Sequence, residues 1–440
     1  QKENMAYDII IGRDTSDKEK FGDKGLIYLG KGYVKMGNYT SLSNKIWMDV
    51  ARSHVILVCG KRGSGKSYSL SAIAEGLSDL PQESSKNIAS IIFDTMGIFW
   101  TMKYKNEKDS ALLREWELKS KTLPVKVFVP FGKSELYKEK NIPFDATFAL
   151  KASELEAEDW ISLFNLEFTS LTSALIERTI NKLKEQSSTY SISNVNAALE
   201  HDTKASKETK EIAYSLFSAA DTWGIFAKSE RGTEITDLIN PATTTILDVS
   251  VYSSIGSFNI RALVISLVCK KLFQTRMDAR KKEEIESIQH GQDYLSYKST
   301  RPEPLIWIFI DEIHEFLNKE QKTPATDALI QILREGRQPG ISLVMATQQP
   351  GKLHSDALTQ ADIVLSHRVT SKTDIEALNE IMQTYLLENI KQQMDNLPAL
   401  KGSAILLDDN SERIYPIRVR PKFTWHGGEA PSAIRAEMKL

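Results

Sequence analysis

The sequence predicts an α/β fold: a mostly parallel sheet flanked by helices, with a helical bundle inserted between core strands and a short β segment in front. Three observations predict it. Six runs, Val55–Cys59, Ala89–Phe93, Val125–Val129, Thr243–Leu247, Leu305–Ile310 and Ile341–Ala346, are short and almost wholly apolar, as strands buried on both faces are. Helical stretches separate most of them, the alternation that builds a parallel sheet. The first run leads directly into Gly60-Lys61-Arg62-Gly63-Ser64-Gly65-Lys66-Ser67, with a helical stretch, Tyr68 to Leu77, behind it.

That eight-residue stretch fits G-x-x-x-x-G-K-[ST] at every fixed position. Glycines let backbone N–H groups curl around phosphate oxygens, and the helix N-terminus adds its positive dipole end. Lys66 would reach the β- and γ-phosphates, Ser67 would hold Mg²⁺, and Tyr68 completes the nucleotide-binding segment. The sequence therefore predicts a P-loop protein that binds a nucleoside triphosphate.

Composition sets the outer limits. The chain has 440 residues, 41% hydrophobic and 26% charged, the balance of a soluble globular protein with more than one structural unit. No apolar run approaches the about 20 residues needed to cross a bilayer, and the first residues lack the apolar centre of a secretory signal. Cys59 and Cys269 both sit in apolar surroundings, as core residues of a cytoplasmic protein do. The formal net charge of -2 excludes a generally basic surface. Nucleic-acid binding would then need positive charge concentrated in a pore or groove.

Five segments follow in order. Residues 1–45 read as short strands, Asp8–Gly12, Gly25–Leu29 and Tyr33–Met36, forming a lid or a barrel fragment. Residues 46–150 hold the first part of the core. Residues 151–235 form the helical bundle: Ser153-Glu154-Leu155-Glu156 reads as a capping box, and Leu171, Leu175, Ile176, Thr179, Ile180 and Leu183 recur at helical spacing. Asn194 opens a short helix, and Ile212–Trp223 forms another closed by Gly224. The bundle either packs the subunit or docks a partner. Residues 236–405 return to the core, and within them the charged stretch Met277–Glu303 reads as a solvated face or a contact loop. Residues 406–440 close the chain, with Ala404–Leu407 and Arg413–Arg420 as a hairpin and a short helical end after Gly428.

The chemistry collects at strand ends. Leu305–Ile310 runs into Asp311-Glu312, a Walker B pattern: Asp311 would orient Mg²⁺, and Glu312 would take the proton of the water attacking the γ-phosphate. The competing reading is that the two acids cap the next helix. Gln348, just after Ile341–Ala346, is placed to sense the γ-phosphate and that water. Arg334 and Arg337 lie three residues apart before Gly336 and Pro339 end their helix. One of them fits an arginine finger acting on a neighbour's nucleotide, the alternative being two surface arginines at a helix C-terminus. Asp94 and Asp248 also end strands, as substrate-facing residues or as turn formers. His314 reads as structural or signalling, not catalytic. There is no zinc-ligand spacing, no nucleophile–His pair and no nuclease-type acidic cluster.

In this order the motifs resemble the HerA family of hexameric DNA translocases, within the HerA/FtsK group of P-loop motors with RecA/FtsK-like folds. The resemblance rests on Gly60–Ser67, Asp94-Thr95-Met96-Gly97, Asp311-Glu312-Ile313-His314-Glu315-Phe316, Arg334-Glu335-Gly336-Arg337, Ala346-Thr347-Gln348-Gln349-Pro350 and Ile417-Arg418-Val419-Arg420-Pro421. It implies a homohexamer hydrolysing ATP between subunits, with Lys66 and Ser67 on ATP and Mg²⁺, Glu312 as base, Arg337 acting in trans and Arg334 second to it. It also implies that the tail around Arg418 and Arg420 braces the next subunit. Double-stranded DNA and a nuclease-type effector, in DNA end processing or anti-phage defence, are the implied partners, with no membrane. Two departures stand out: the N-terminal part is short for the family's barrel, and Gln349 stands where many relatives have Arg. A second function remains open, an ATP-dependent oligomeric scaffold that assembles an effector enzyme with little translocation. A transfer ATPase of the FtsK group is a third.

Overall fold

The structure, a computed structural model, describes residues 7–36, 39–228, 232–253, 259–382 and 390–429. Each of the six apolar runs is a strand: β4 (Val55–Cys59), β5 (Ile88–Asp94), β6 (Val125–Pro130), β8 (Thr244–Asp248), β9 (Leu305–Ile310) and β10 (Ile341–Thr347). They join β1 (Ile9–Ile11), β2 (Leu26–Met36), β3 (Tyr39–Asp49), β7 (Ala146–Phe148), β11 (Ile363–His367), β12 (Ser403–Asp408) and β13 (Arg413–Val419). Among the described residues all these strands form one sheet, ordered β1-β3-β2-β13-β12-β11-β4-β10-β9-β5-β8-β6-β7. From β11 to β7 every neighbour is parallel. From β11 through β12, β13 and β2 to β3 every pairing is antiparallel.

The apolar runs are uninterrupted because both faces are covered. Val55, Leu57 and Cys59 belong to one core, which reaches the helical insert, while Ile56 and Val58 belong to the other, with Leu70, Ile73 and Leu77 of the helix Lys66–Ser78. Register places the site. Met345 of β10 lies opposite Leu57 of β4 and Ile310 of β9, so the three strands end side by side on one edge. The phosphate loop, Asp311 and Thr347 share that edge, where parallel sheets bind ligands.

The N-terminal segment is neither lid nor barrel fragment. The runs Gly25–Leu29 and Tyr33–Met36 are parts of one long strand, and the hairpin β2–β3 joins the main sheet through β13. The hairpin runs to Asp49, past the expected boundary at 45. Gly30 is required there, since a Cβ would overlap the Arg418 carbonyl.

The insert has its own aromatic centre, with Trp160 4.8 Å from Phe217 and 5.0 Å from Phe226 between ring centroids. Leu175, Ile176, Thr179, Ile180 and Leu183 are buried as their spacing predicts, but Leu171 is exposed at the first turn. Three starts differ from expectation. The capping box is Glu156 with Asp159, since Ala152–Glu154 forms a separate 3₁₀ turn. Ser191 caps Ile192–Glu200, with Asn194 as the reciprocal partner. Ser206 caps Lys207–Thr222, which begins before Ile212. The charged stretch continues the helix Ile260–His290, yet part of it points inward: Glu283 is buried and pairs with the equally buried Arg276 just before the stretch, which donates to the carbonyls of Pro339 (2.8 Å) and Glu303 (2.7 Å). Residues 430–440, where a helical end was expected, lie outside the described residues.

Candidate nucleotide site

The loop after β4 has the backbone that its glycines predict. Gly60, Gly63 and Gly65 have φ of 155°, 74° and 106°, values open to glycine and strained for other residues. A Cβ on Gly60 would lie 2.7 Å from His367 Cβ. Lys61 and Arg62 are exposed at the tip, and the Ser64 hydroxyl is buried without a hydrogen-bond partner. Lys66 begins the helix and is itself buried, its ammonium 3.4 Å from the Lys61 carbonyl. Burial depresses its pKa, while Glu312 and then Asp311 pull it back up. A buried cation over a curl of backbone N–H groups is a cradle for an anion.

Ser67 donates its hydroxyl to Asp311 Oδ2 at 2.5 Å. Burial raises the Asp311 pKa, and the Ser67 hydrogen bond opposes it. A hydroxyl beside a carboxylate is the oxygen pair that a magnesium ion takes from a protein when phosphates and water supply the rest. Among the described residues no cluster of three or more His, Cys, Asp or Glu could hold a metal ion.

Glu312 has φ 50° and ψ 43°, the left-handed region, and caps no helix with its side chain. The capping alternative therefore fails: only the 3₁₀ turn Ile313–Glu315 follows. The Gln348 amide donates to Glu312 Oε1, and Glu312 Oε2 is buried without a hydrogen-bond partner, 3.4 Å from His314 Nδ1. His314 Nδ1 is also 3.1 Å from the Thr347 hydroxyl, so the histidine read as structural bridges two site strands.

Arg334 and Arg337 stand apart from this group. They precede β10 and so lie at the opposite edge of the sheet from Lys66. Both are more than half exposed, Arg334 2.8 Å from Asp356 and Arg337 3.2 Å from Asp362. Asp94 and Asp248 prove to be turn formers. Asp94 accepts backbone N–H groups from Met96, Gly97, Ile98 and Phe99, and Asp248 accepts from Ser250. Burial raises both carboxyls, and for Asp94 the facing Asp248 adds to it.

Two features escaped the sequence. His367 ends β11 beneath the phosphate loop, its ring bonded to the Ser69 hydroxyl (2.8 Å) and the Ser403 carbonyl (3.0 Å). Burial brings its pKa down to about 4, so the imidazole is neutral. The tail is the second. Arg420 is buried in its own subunit, bonded to Glu75 (3.0 Å) and to the carbonyls of Ala72 (2.8 Å) and Tyr28 (2.9 Å). Its guanidinium is therefore committed within the chain, where the resemblance implied a brace on the next subunit. Tyr68 belongs to the same tail contact, its hydroxyl accepting the Lys422 N–H at 2.7 Å.

The family profile described as the central domain of the helicase HerA matches residues 34–272, more than half of the chain. The chain is 26% identical over 184 residues to the DNA double-strand break repair helicase HerA of Pyrococcus furiosus, covering 38% of this chain and 31% of that protein. It is 28% identical over 145 residues to the probable helicase MJ1565 of Methanocaldococcus jannaschii, covering 33% and 25%. The matched parts thus span less than a third of either relative. VirB4 of Thermoanaerobacter pseudethanolicus shares the fold with a TM-score of 0.55, 12% identity and coverage of 90% and 96%. The conjugative coupling protein TrwB does so at 0.50 and 14%, with 86% and 87% covered. Asp311, Glu312, Arg337 and Gln348 lie beyond the family match, so their assignment stands on geometry. With the phosphate loop, the parallel sheet and this match in place, the chain belongs to the HerA helicase central-domain family of P-loop ATPases.

Proposed function

We propose that the chain is an ATP-driven DNA translocase or helicase, working as a ring of its own copies, most simply a hexamer, with ATP between subunits. The observation that carries this reading is Glu312. A carboxylate in a left-handed backbone, steered through one oxygen by Gln348 and holding the other buried without a hydrogen bond, 3.4 Å from His314 Nδ1, has the form of a base awaiting its water. Lys66 and the loop N–H groups bind and orient the phosphates. Magnesium, held by Ser67 and Asp311, would neutralise phosphate charge. The exposure of Arg337 at the far edge of the sheet supports a role on a neighbour's nucleotide and not on its own.

DNA as the track is supported by the helicase family and by the DNA repair helicase among the relatives, and a nuclease-type effector, in end processing or phage defence, is the partner proposed with it. A cytoplasmic setting agrees with the absence, among the described residues, of any helix long and apolar enough to cross a membrane. The test is the ATPase rate of the assembled protein with and without double-stranded DNA at low and moderate salt. Stimulation that fades with salt is expected, because phosphate contacts release counterions. Salt-insensitive, DNA-independent turnover would overturn the motor reading and favour the scaffold.

A further inference from the structure

A nucleoside triphosphate is longer than the loop that holds its phosphates, so its base emerges and lies against something. Lys66 would hold the γ-phosphate end, and the charges of Glu312 and Asp311 act on its ammonium against the effect of burial. The residue following Ser67 is Tyr68, and its side chain contacts the chain's last described segment. Residues 420–426 run along the phosphate-loop helix and are tied to it. Glu75, fully buried on that helix, accepts from Arg420, from the N–H groups of Phe423 (3.0 Å) and Thr424 (2.9 Å), and from the Thr424 hydroxyl. The Trp425 N–H donates to the Tyr104 carbonyl at 2.8 Å, tying the strap also to the segment after β5.

This anchoring sets aromatic rings beside the mouth of the loop. His426 meets the Tyr68 ring edge-on at 5.2 Å. Burial holds the imidazole pKa down at about 3, so the ring is uncharged. Trp425 and Tyr104 leave 39% and 48% of their surfaces exposed. Aromatic rings beside a phosphate site, here the uncharged, half-buried His426 against the half-buried Tyr68, are what a purine stacks on, and such stacking is tolerant of which base is offered.

We propose that the strap forms the base-side wall of the nucleotide site, with His426 and Tyr68 packing against the purine and ribose. This rests on the phosphate-loop reading of the same site and adds the part of the ligand that the loop cannot recognise. The strap is then a nucleotide-binding element of its own subunit.

The test uses the full chain and two probes, ATP and inorganic tripolyphosphate, each titrated by its displacement of a fluorescent ATP analogue. His426→Ala should weaken ATP by about tenfold and leave tripolyphosphate unchanged. His426→Phe keeps a ring and should hold ATP within about twofold. Equal losses for both probes, or no loss of ATP, would overturn the proposal. Lys66→Ala is the control, since it should weaken both probes together. If it weakened neither, the phosphate-loop reading would have failed, and not merely the wall.

Discussion

Gln348 and Glu312 are joined side chain to side chain across neighbouring strands, the amide of one donating to Oε1 of the other. The bond fixes the carboxylate by one oxygen and leaves Oε2 buried and without a hydrogen-bond partner. A buried acceptor with no partner is costly unless something else fills its place, and here the occupant would be the water to be activated. Glu312→Gln should therefore lower ATP turnover by about 10²- to 10⁴-fold while ATP affinity stays near the parent value. Parallel turnover and binding assays check both halves.

Arg337 should matter only in the assembly. Its contact with Asp362 is half exposed, and such pairs contribute roughly 0–1 kcal/mol to folding. Arg337→Ala should leave the unfolding midpoint unchanged and reduce turnover by about 10³-fold. Mixing it with subunits carrying Lys66→Ala should restore some turnover wherever an intact arginine meets an intact loop. No restoration at any mixing ratio would remove the trans role.

His54 predicts a pH dependence. Burial alone would depress its pKa, but hydrogen bonds to Asp362 (2.7 Å) and Asp49 (3.1 Å) carry it up to about 9. Arg13 faces Asp49 and Arg337 faces Asp362, so cations and carboxylates alternate around the ring. A folded pKa above the unfolded value of about 6.5 means that the proton stabilises the native state. That contribution is complete below about pH 6.5 and is lost as pH rises through about 9. Denaturation midpoints should fall between pH 7 and 10, and His54→Gln should flatten that slope.

The Glu75–Arg420 pair is buried on both sides. Removing one partner strands the other, at about 3–5 kcal/mol. Glu75→Gln should lower the denaturation midpoint accordingly, and it should loosen residues 422–426 to hydrogen exchange before the sheet opens.

What the sequence disclosed depended on how locally each feature is written. β4, β9 and β10 were legible because burial on both faces leaves an unbroken apolar run. β11 was not. Its end, Ser366-His367, is polar, and those side chains are buried because they contact nearby chain and buttress the loop. The loop and the Asp311-Glu312 pair could be read from spacing, whereas the Gln348–Glu312 bond could not, because it joins the tips of two strands 36 positions apart. The place of Arg420, which the resemblance implied to brace the next subunit, was not legible because its partner, Glu75, lies 345 positions away. Tyr28 and Ala72, which also hold it, are equally remote in sequence. Long-range ion pairs leave no periodicity to find.

The pairing of β13 with β2 has a consequence for synthesis. The hairpin β2–β3 is made before the strands around the phosphate loop, yet among the described residues its hydrogen-bonded neighbour on the side of those strands is β13, which is made after all of them. The phosphate loop and its flanking strands can assemble while that edge is still unpaired. A nascent chain stopped before residue 413 would therefore carry an open strand edge, the kind that invites association with other chains. Formation of β13 both pairs that edge and delivers the strap that follows it to the phosphate-loop helix.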